Sequence, residues 1–483
     1  MNAQYKLYER DGVTFAALQP YFESMAKPMR GVEYHIAPRL AVALKGSHIY
    51  WAYGMPEYKN VGVKWVQKMI TSGVNGRFYR VENKHYKNAL AYFSLLISST
   101  LPKNTEALIK VYTTIHDLAV EHCRIVGVGI DAFDDFFEEI VTREVSRQGY
   151  PNLVDDKDAW SKVLQPAYRS EVLNYKLAIL ELSKKIKNKK FLVSAQDVEH
   201  IYRKYYWLTI GWGGRGVLTR KKIKQETRAC AKLTSIEYQQ ERKYILDYAK
   251  RIAENRRAVL KRFQVPEKVV RPYLTVLDKI ARMHDQRKEI QMRSLFLMDE
   301  IRRKVARTYS LKMADLVWLK PNELRRVIRT GKIPKRTVID RKSGYLVVMN
   351  GSKKLEKTGK QALRFIDNKL KLKNNNLTSV KGAPASAGIA TGRAFVTEDP
   401  RRAIKFLKKG DILVTPMTTP DFVPAMKKAV AVVTNEGGVT VHAAIISREL
   451  RIPCVTGTEI ATAVFKTGDR IEVNGNTGVV RKI

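Results

Sequence analysis

The chain changes texture about three-quarters of the way along, and that change limits the folds open to it. Up to residue 309 apolar residues recur at helical spacing, in Asn104–Val126, Asp131–Arg147, Asp158–Ile186, Ala195–Tyr206, Ser235–Phe263 and Glu267–Tyr309. A Lys-rich helical pattern, Lys353–Leu372, then runs into Asn374-Asn375-Asn376, a polar stretch suited to a linker. Beyond it come short β-rich runs, such as Gly392–Thr397 and Asp411–Thr415, separated by Gly, Pro and Asp, and one helix that begins after Gly437-Gly438. The expected architecture is α plus α/β. A mixed α/β segment spans 1–100, a helical domain 101–370, a linker 371–379 and a small β/β/α domain 380–483. Within the first segment strands are expected in Ala41–Tyr53 and at Phe78–Val81, and a helix at Val63–Ile70. A further strand, Tyr345–Met349, precedes the turn Asn350-Gly351.

A length of 483 residues suits two to three domains, and 45% apolar residues are enough for packed cores. The outlier is charge: 88 basic against 47 acidic residues give +41. Such a balance raises polyanions as partners. Lys and Arg are nevertheless spread from Lys6 to Lys482 among acids, which fits a solvated surface better than a nucleic-acid interface. Cys123, Cys230 and Cys454 match no metal spacing or disulfide framework, which favours a reducing compartment. No apolar segment follows Met1, and no run approaches the roughly 18 residues of a membrane span. The expectation is a soluble, cytoplasmic chain without membrane contact.

The stretch that carries chemistry is Thr434-Asn435-Glu436-Gly437-Gly438-Val439-Thr440-Val441-His442-Ala443-Ala444 and the helix continuing to Leu450. An apolar run, Ala429 to Thr434, ends at a glycine pair and gives way to a helix. Glycines there permit positive φ and expose amide N–H groups. The first turn of a helix holds unpaired donors and a partial positive charge, so His442 stands at an anion-binding position. That potential keeps the imidazole neutral and nucleophilic near pH 7. Amides of Gly437, Gly438 and Ala443 and the Thr440 hydroxyl could meet phosphate oxygens, while the small Ala443 and Ala444 leave the ring face open. Alone, Gly-Gly-x-x-x-His reads as a capping histidine; here the flanks agree with the sharper reading.

The segment resembles the phosphohistidine signature of phosphoenolpyruvate synthase and pyruvate phosphate dikinase. The resemblance continues through Gly382-Ala383-Pro384-Ala385-Ser386-Ala387-Gly388, Asp411–Pro420, Leu450–Thr458 and Gly468–Gly475, covering 380–483 in order. Ala387 departs from the family, which often has proline there. The resemblance implies a swivelling domain in which His442 carries a phosphoryl group. Arg448 and Glu449 belong to the pattern; Arg448 steadies phosphate or forms a surface pair, and Thr418 closes over the site or simply turns the chain. Cys454 reads as a small core residue.

Residues 1–379 lack the phosphate loop and acidic magnesium ligands of an ATP-grasp domain. No cofactor is expected to bind this chain firmly; ATP and Mg²⁺ are expected through a separate ATP-grasp partner. Gly211-Trp212-Gly213-Gly214-Arg215-Gly216 reads as an inter-helix turn. Residues 195–370 loosely resemble the acceptor region of phosphoenolpyruvate-synthase-like phosphotransferases, including the rifampicin phosphotransferases. The traces are Tyr205-Tyr206-Trp207-Leu208, His284-Asp285-Gln286-Arg287-Lys288, Asp315–Leu324 as a strand into a Leu-rich helix, and Arg341-Lys342. The family's Arg-Glu-x-x-Lys would fall on His284, Asp285 and Lys288. Residues three or four apart share a helix face, so Asp285 could act as general base while Lys288 offsets phosphoryl charge. An ordinary polar helix face reads equally well. The expected function is a phosphotransferase component that relays phosphate through His442 to an unknown acceptor. The alternatives are a phosphohistidine signalling protein and a basic nucleic-acid-binding protein.

Overall fold

The computed structural model describes every residue except 1–4, 11–12, 26–39, 47, 55–56, 74–75, 188–193, 212–213, 215, 351–352, 371–376, 419–421, 438–441 and 459. The first body opens with β1 (Tyr5–Arg10), α1 (Phe15–Met25), the hairpin β2 (Leu40–Lys45) and β3 (His48–Gly54), and the helices α2 (Glu57–Ser72) and α3 (Arg77–Ile97). A 43-residue helix follows, α4 (Thr105–Arg147), then α5 (Pro151–Asp155), α6 (Lys157–Val163), α7 (Glu171–Lys187), α8 (Ala195–Tyr205) and α9 (Arg220–Cys230). Next come α10 (Ser235–Leu246), α11 (Tyr248–Arg262), the 42-residue α12 (Glu267–Thr308), α13 (Met313–Leu316), α14 (Pro321–Thr330) and α15 (Lys335–Ser343). The body ends with β4 (Tyr345–Asn350), β5 (Lys353–Thr358), α16 (Gly359–Phe365) and a π turn, Ile366–Leu370.

The five strands form one antiparallel sheet in the order β1-β3-β2-β4-β5. Leu40–Leu44 of β2 pairs with Tyr345–Met349 of β4, so the sheet crosses the boundary expected after residue 100. One core runs without interruption from Val13 to Met349, centred on the packing of α4 against α12 and α2.

Where the chain departs from its sequence pattern, the cause is local. Asn104–Val126 and Asp131–Arg147 are one helix, because Gly129 does not break it. A Cβ there would lie 2.3 Å from the Trp65 ring, so this glycine serves the close packing of α2 on α4. Asp158–Ile186 is instead two helices, interrupted around Pro166, which lacks an N–H for the helical ladder. Ser235–Phe263 likewise divides, at Asp247. Phe78–Val81 is helical, since Tyr79, Glu82, Ala89 and Phe93 are buried at helical spacing. Lys353–Thr358 is a strand, drawn into register by β4 despite its helix-forming residues. Asp315 and Leu316 lie in the short α13, not in a strand. The Asn374–Asn376 linker lies outside the described residues.

The second body is built from β6 (Ser379–Lys381), β7 (Ala383–Ser386), β8 (Ile389–Val396), α17 (Pro400–Phe406), β9 (Asp411–Thr415), α18 (Val423–Met426), β10 (Ala431–Thr434), α19 (His442–Leu450), β11 (Cys454–Thr456), α20 (Ala461–Val464), β12 (Arg470–Asn474) and β13 (Val479–Lys482). Its sheet runs β6-β13-β12-β8-β9-β10-β11-β7, with β8 through β11 parallel. Alternation puts Ile412, Val414, Ala431 and Val433 on one face with Phe465 and Val473. Leu413 and Val432 lie on the other, with Phe422, Met426, Ala443, Ala444 and Cys454. Both faces are covered, as a parallel sheet requires.

Candidate functional site

The β10–α19–β11 unit places His442 as the first residue of a nine-residue helix, just beyond the carboxyl end of a central parallel strand. Open α/β sheets bind ligands at such an end. The turn leading to it is tied on two sides. The amides of Asn435 and Glu436 donate to Thr415 O (3.2 Å) and Pro416 O (2.8 Å), at the end of β9. From the opposite side Gly457 N donates to Glu436 O (3.0 Å), and Thr458 donates to Thr434 O through its amide (3.1 Å) and hydroxyl (2.9 Å). Asn435 adds a side-chain pair with Thr462.

Gly437 is required for proximity, not for an unusual backbone angle. A Cβ on it would lie 2.6 Å from the Gly457 Cα, while the positive φ (+69°) belongs to Gly457. Ala443 and Ala444 are buried against the sheet, where their small size lets α19 sit close on β11 and β7. The Ala443 amide belongs to the first turn of α19. Gly438 and Thr440 lie outside the described residues. Thr418 is buried. Cys454 is a core residue whose thiol burial pushes up to about 12.

Arg448 bonds both its own helix and the first body. Its Nε donates to Ala444 O (3.0 Å), and its Nη1 donates to Ser161 O of α6 in the first body (3.4 Å). Desolvation lowers its pKa.

In the helical body the three motif residues of α12 go to three neighbours. His284 Nε2 pairs with Asp134 of α4 (3.0 Å), and Lys288 Nζ donates to Leu208 O (3.1 Å). Asp285 accepts the Glu171 amide at the start of α7 (2.7 Å) and is hydrogen-bonded to Tyr168; burial raises its pKa above the ordinary carboxylate value. Around it the fold gathers groups that periodicity did not single out. Tyr86 of α3 donates to Glu289 (2.6 Å), which also pairs with Arg293 (2.7 Å). Burial also raises Glu171, and the nearby charges of Glu289 and Asp285 reinforce that rise. The Glu289–Arg293 spacing of four was the one signal available in sequence. Gly214 of the glycine-rich turn packs on α12, where a Cβ would lie 2.3 Å from Asp299 Oδ2; Arg215 lies outside the described residues.

Residues 407–478 match the family described as PEP-utilising enzyme, mobile domain. The C-terminal body is thus similar to the mobile domain of the phosphoenolpyruvate-utilising enzymes. A probable phosphoenolpyruvate synthase of Staphylothermus marinus is 50% identical over 129 residues, 26% of this chain and 14% of that protein. The phosphoenolpyruvate synthase of Pyrococcus furiosus is 57% identical over 103 residues, 21% of this chain and 12% of that protein. This chain thus covers less than one sixth of the length of either relative. Among solved structures, Thermococcus kodakaraensis aconitase X is similar over 22% of this chain and 98% of its own, at 21% identity and a TM-score of 0.19. Among the described residues no helix is long and apolar enough to cross a membrane, and no group of three or more His, Cys, Asp or Glu could hold a metal ion.

Proposed function

We propose that this chain is a phosphotransferase component that relays a phosphoryl group through His442. The observation that supports the reading is the turn after β10, tied on both sides at Asn435 and Glu436, with α19 starting at His442 in a body similar to a mobile domain. An imidazole nitrogen attacks the donor's phosphorus, the donor P–O bond breaks and an N–P bond forms. An acceptor hydroxyl then attacks the same phosphorus, the N–P bond breaks, and the hydroxyl proton passes to a base. Asp285 is that base; its buried, hydrogen-bonded carboxyl holds a proton closer to neutrality than an exposed aspartate does. Lys288 offsets charge on the phosphoryl group. The donor is a separate ATP-grasp protein that supplies ATP and Mg²⁺ chemistry, and the acceptor binds in the helical body.

The test is incubation of the full chain with such a protein and ATP labelled in its β or γ phosphate. Acid-labile label that disappears in His442→Asn, followed by a labelled small-molecule phosphoester, supports the relay. Label that stays on His442 would favour a signalling role, and absence of label on wild type would remove the reading.

A further inference from the structure

Pro166 ends the helical pattern that began at Asp158, and so leaves the last carbonyls of α6 without intrahelical donors. Two arginines meet them. Arg256 of α11 donates Nε to Val163 O (3.1 Å) and Nη2 to Gln165 O (2.6 Å), and is itself held by Asp278. Arg448 comes from the mobile domain and donates to Ser161 O. A cation near a helix C-terminus is favoured by the dipole. The surroundings add charge complementarity: Asp158 of α6, Glu138 of α4 and Tyr248 of α11 act on Arg448. Glu138, which burial makes harder to ionise, is stabilised by Lys157 and by Arg448. β7 of the mobile domain packs on α6 beside this contact. A largely buried guanidinium is costly unless its partners are specific, and Ser161, Asp158, Glu138 and Tyr248 all lie in the other body.

The station has a direction. Arg448 follows His442 by six residues on α19, which is about 9 Å of helix. The segment after α6 is tied to α12 by Asp278, which accepts the Ala167 amide (2.7 Å), and by Asp285, which accepts that of Glu171. The chain segment that follows the Arg448 contact is thus the one whose Glu171 amide Asp285 accepts.

We propose that the C-terminal end of α6 is the docking station of the mobile domain, that Arg448 is the positioning residue that plugs it, and that this is the acceptor-facing stop of the relay. The last clause rests on the relay reading; the docking itself does not. In the full chain, Arg448→Glu sets an anion against the carbonyl of Ser161, and Glu138→Arg sets a like charge against Arg448 from the helical side. Each releases the domain, seen in X-ray scattering as a radius of gyration above the roughly 23 Å of a compact chain this long. Hydrogen exchange should show a matching loss of protection in residues 157–163. The double variant stays open as well, because the anion still faces the carbonyl of Ser161. Single variants of native helical content that keep the wild-type radius and exchange would overturn the proposal. Phosphoramidate, a small-molecule phosphoryl donor, serves as an independent probe of His442 in wild type and Glu138→Arg. Equal labelling with altered docking supports both readings. Normal docking without labelling leaves the station standing and removes the relay.

Discussion

Gly437 and Gly457 cross so closely that a Cβ on the first would lie 2.6 Å from the Cα of the second. Both contacts are backbone, so no side chain can move aside. Gly437→Ala must push apart the turn before His442 and the segment that ties it, at a cost of about 1–3 kcal/mol by analogy with overpacking. A lowered unfolding midpoint together with reduced labelling of His442 is expected. Unchanged values for both would show that the turn tolerates separation.

Asp285 should govern transfer onward. Asp285→Asn removes the base and slows passage to the acceptor by about 100-fold or more, with phosphohistidine accumulating. Because burial raises the Asp285 pKa, the basic form appears at higher pH than for an exposed aspartate, and the transfer rate rises with pH through that raised value. A single-turnover pH profile of phosphohistidine discharge checks both points. An acidic limb at the ordinary aspartate value would rule out Asp285 as the base.

Glu82 lies buried between α3 and α12, and neither of its carboxylate oxygens has a hydrogen-bond partner among the described residues. Burial is the main cause that raises its pKa to about 7, with Lys279 and Arg282 opposing it. A carboxyl whose folded pKa exceeds its unfolded one stabilises the fold below the unfolded value and loses that contribution as pH climbs through the folded value. Stability should therefore fall between about pH 4.5 and 7.5, by roughly 3 kcal/mol at most for a shift of this size. Glu82→Gln should flatten the decline, measured as urea unfolding at several pH values. An identical decline in the variant would place its origin elsewhere.

Gly129→Ala would drive a methyl into the Trp65 ring, 2.3 Å from the built Cβ. Parting α2 from α4 should cost about 1–3 kcal/mol, with the helical content retained. A neutral substitution would mean that Trp65 swings clear.

The mobile domain was the more legible half of the chain. Asp411–Thr415 is a strand as its apolar run implies, and the helix after the glycine pair begins at His442. Its local signals agree with its tertiary structure because each short strand and turn is specified within a few residues. The helical body misleads where one residue type serves two purposes. Gly129 looks like a breaker yet buys close packing, while Pro166 hides inside an apolar period that its neighbours continue. Composition gives the size of Ala443 and Ala444 but not which side of α19 meets the sheet, so their burial was not legible. Around Asp285, Tyr86 and Glu171 arrive from α3 and the start of α7, and no spacing within a single helix could announce them.

The pairing of β2 with β4 bears on how the chain comes to be folded. Leu40 finds Met349 only about 300 residues later, a separation that makes closure slow. During synthesis the hairpin β2–β3 must wait with the β2 edge unsatisfied until the intervening helices have been made. A nascent chain stalled before Tyr345 would present that edge to any other strand nearby. A chaperone acting in that interval would protect the whole first body.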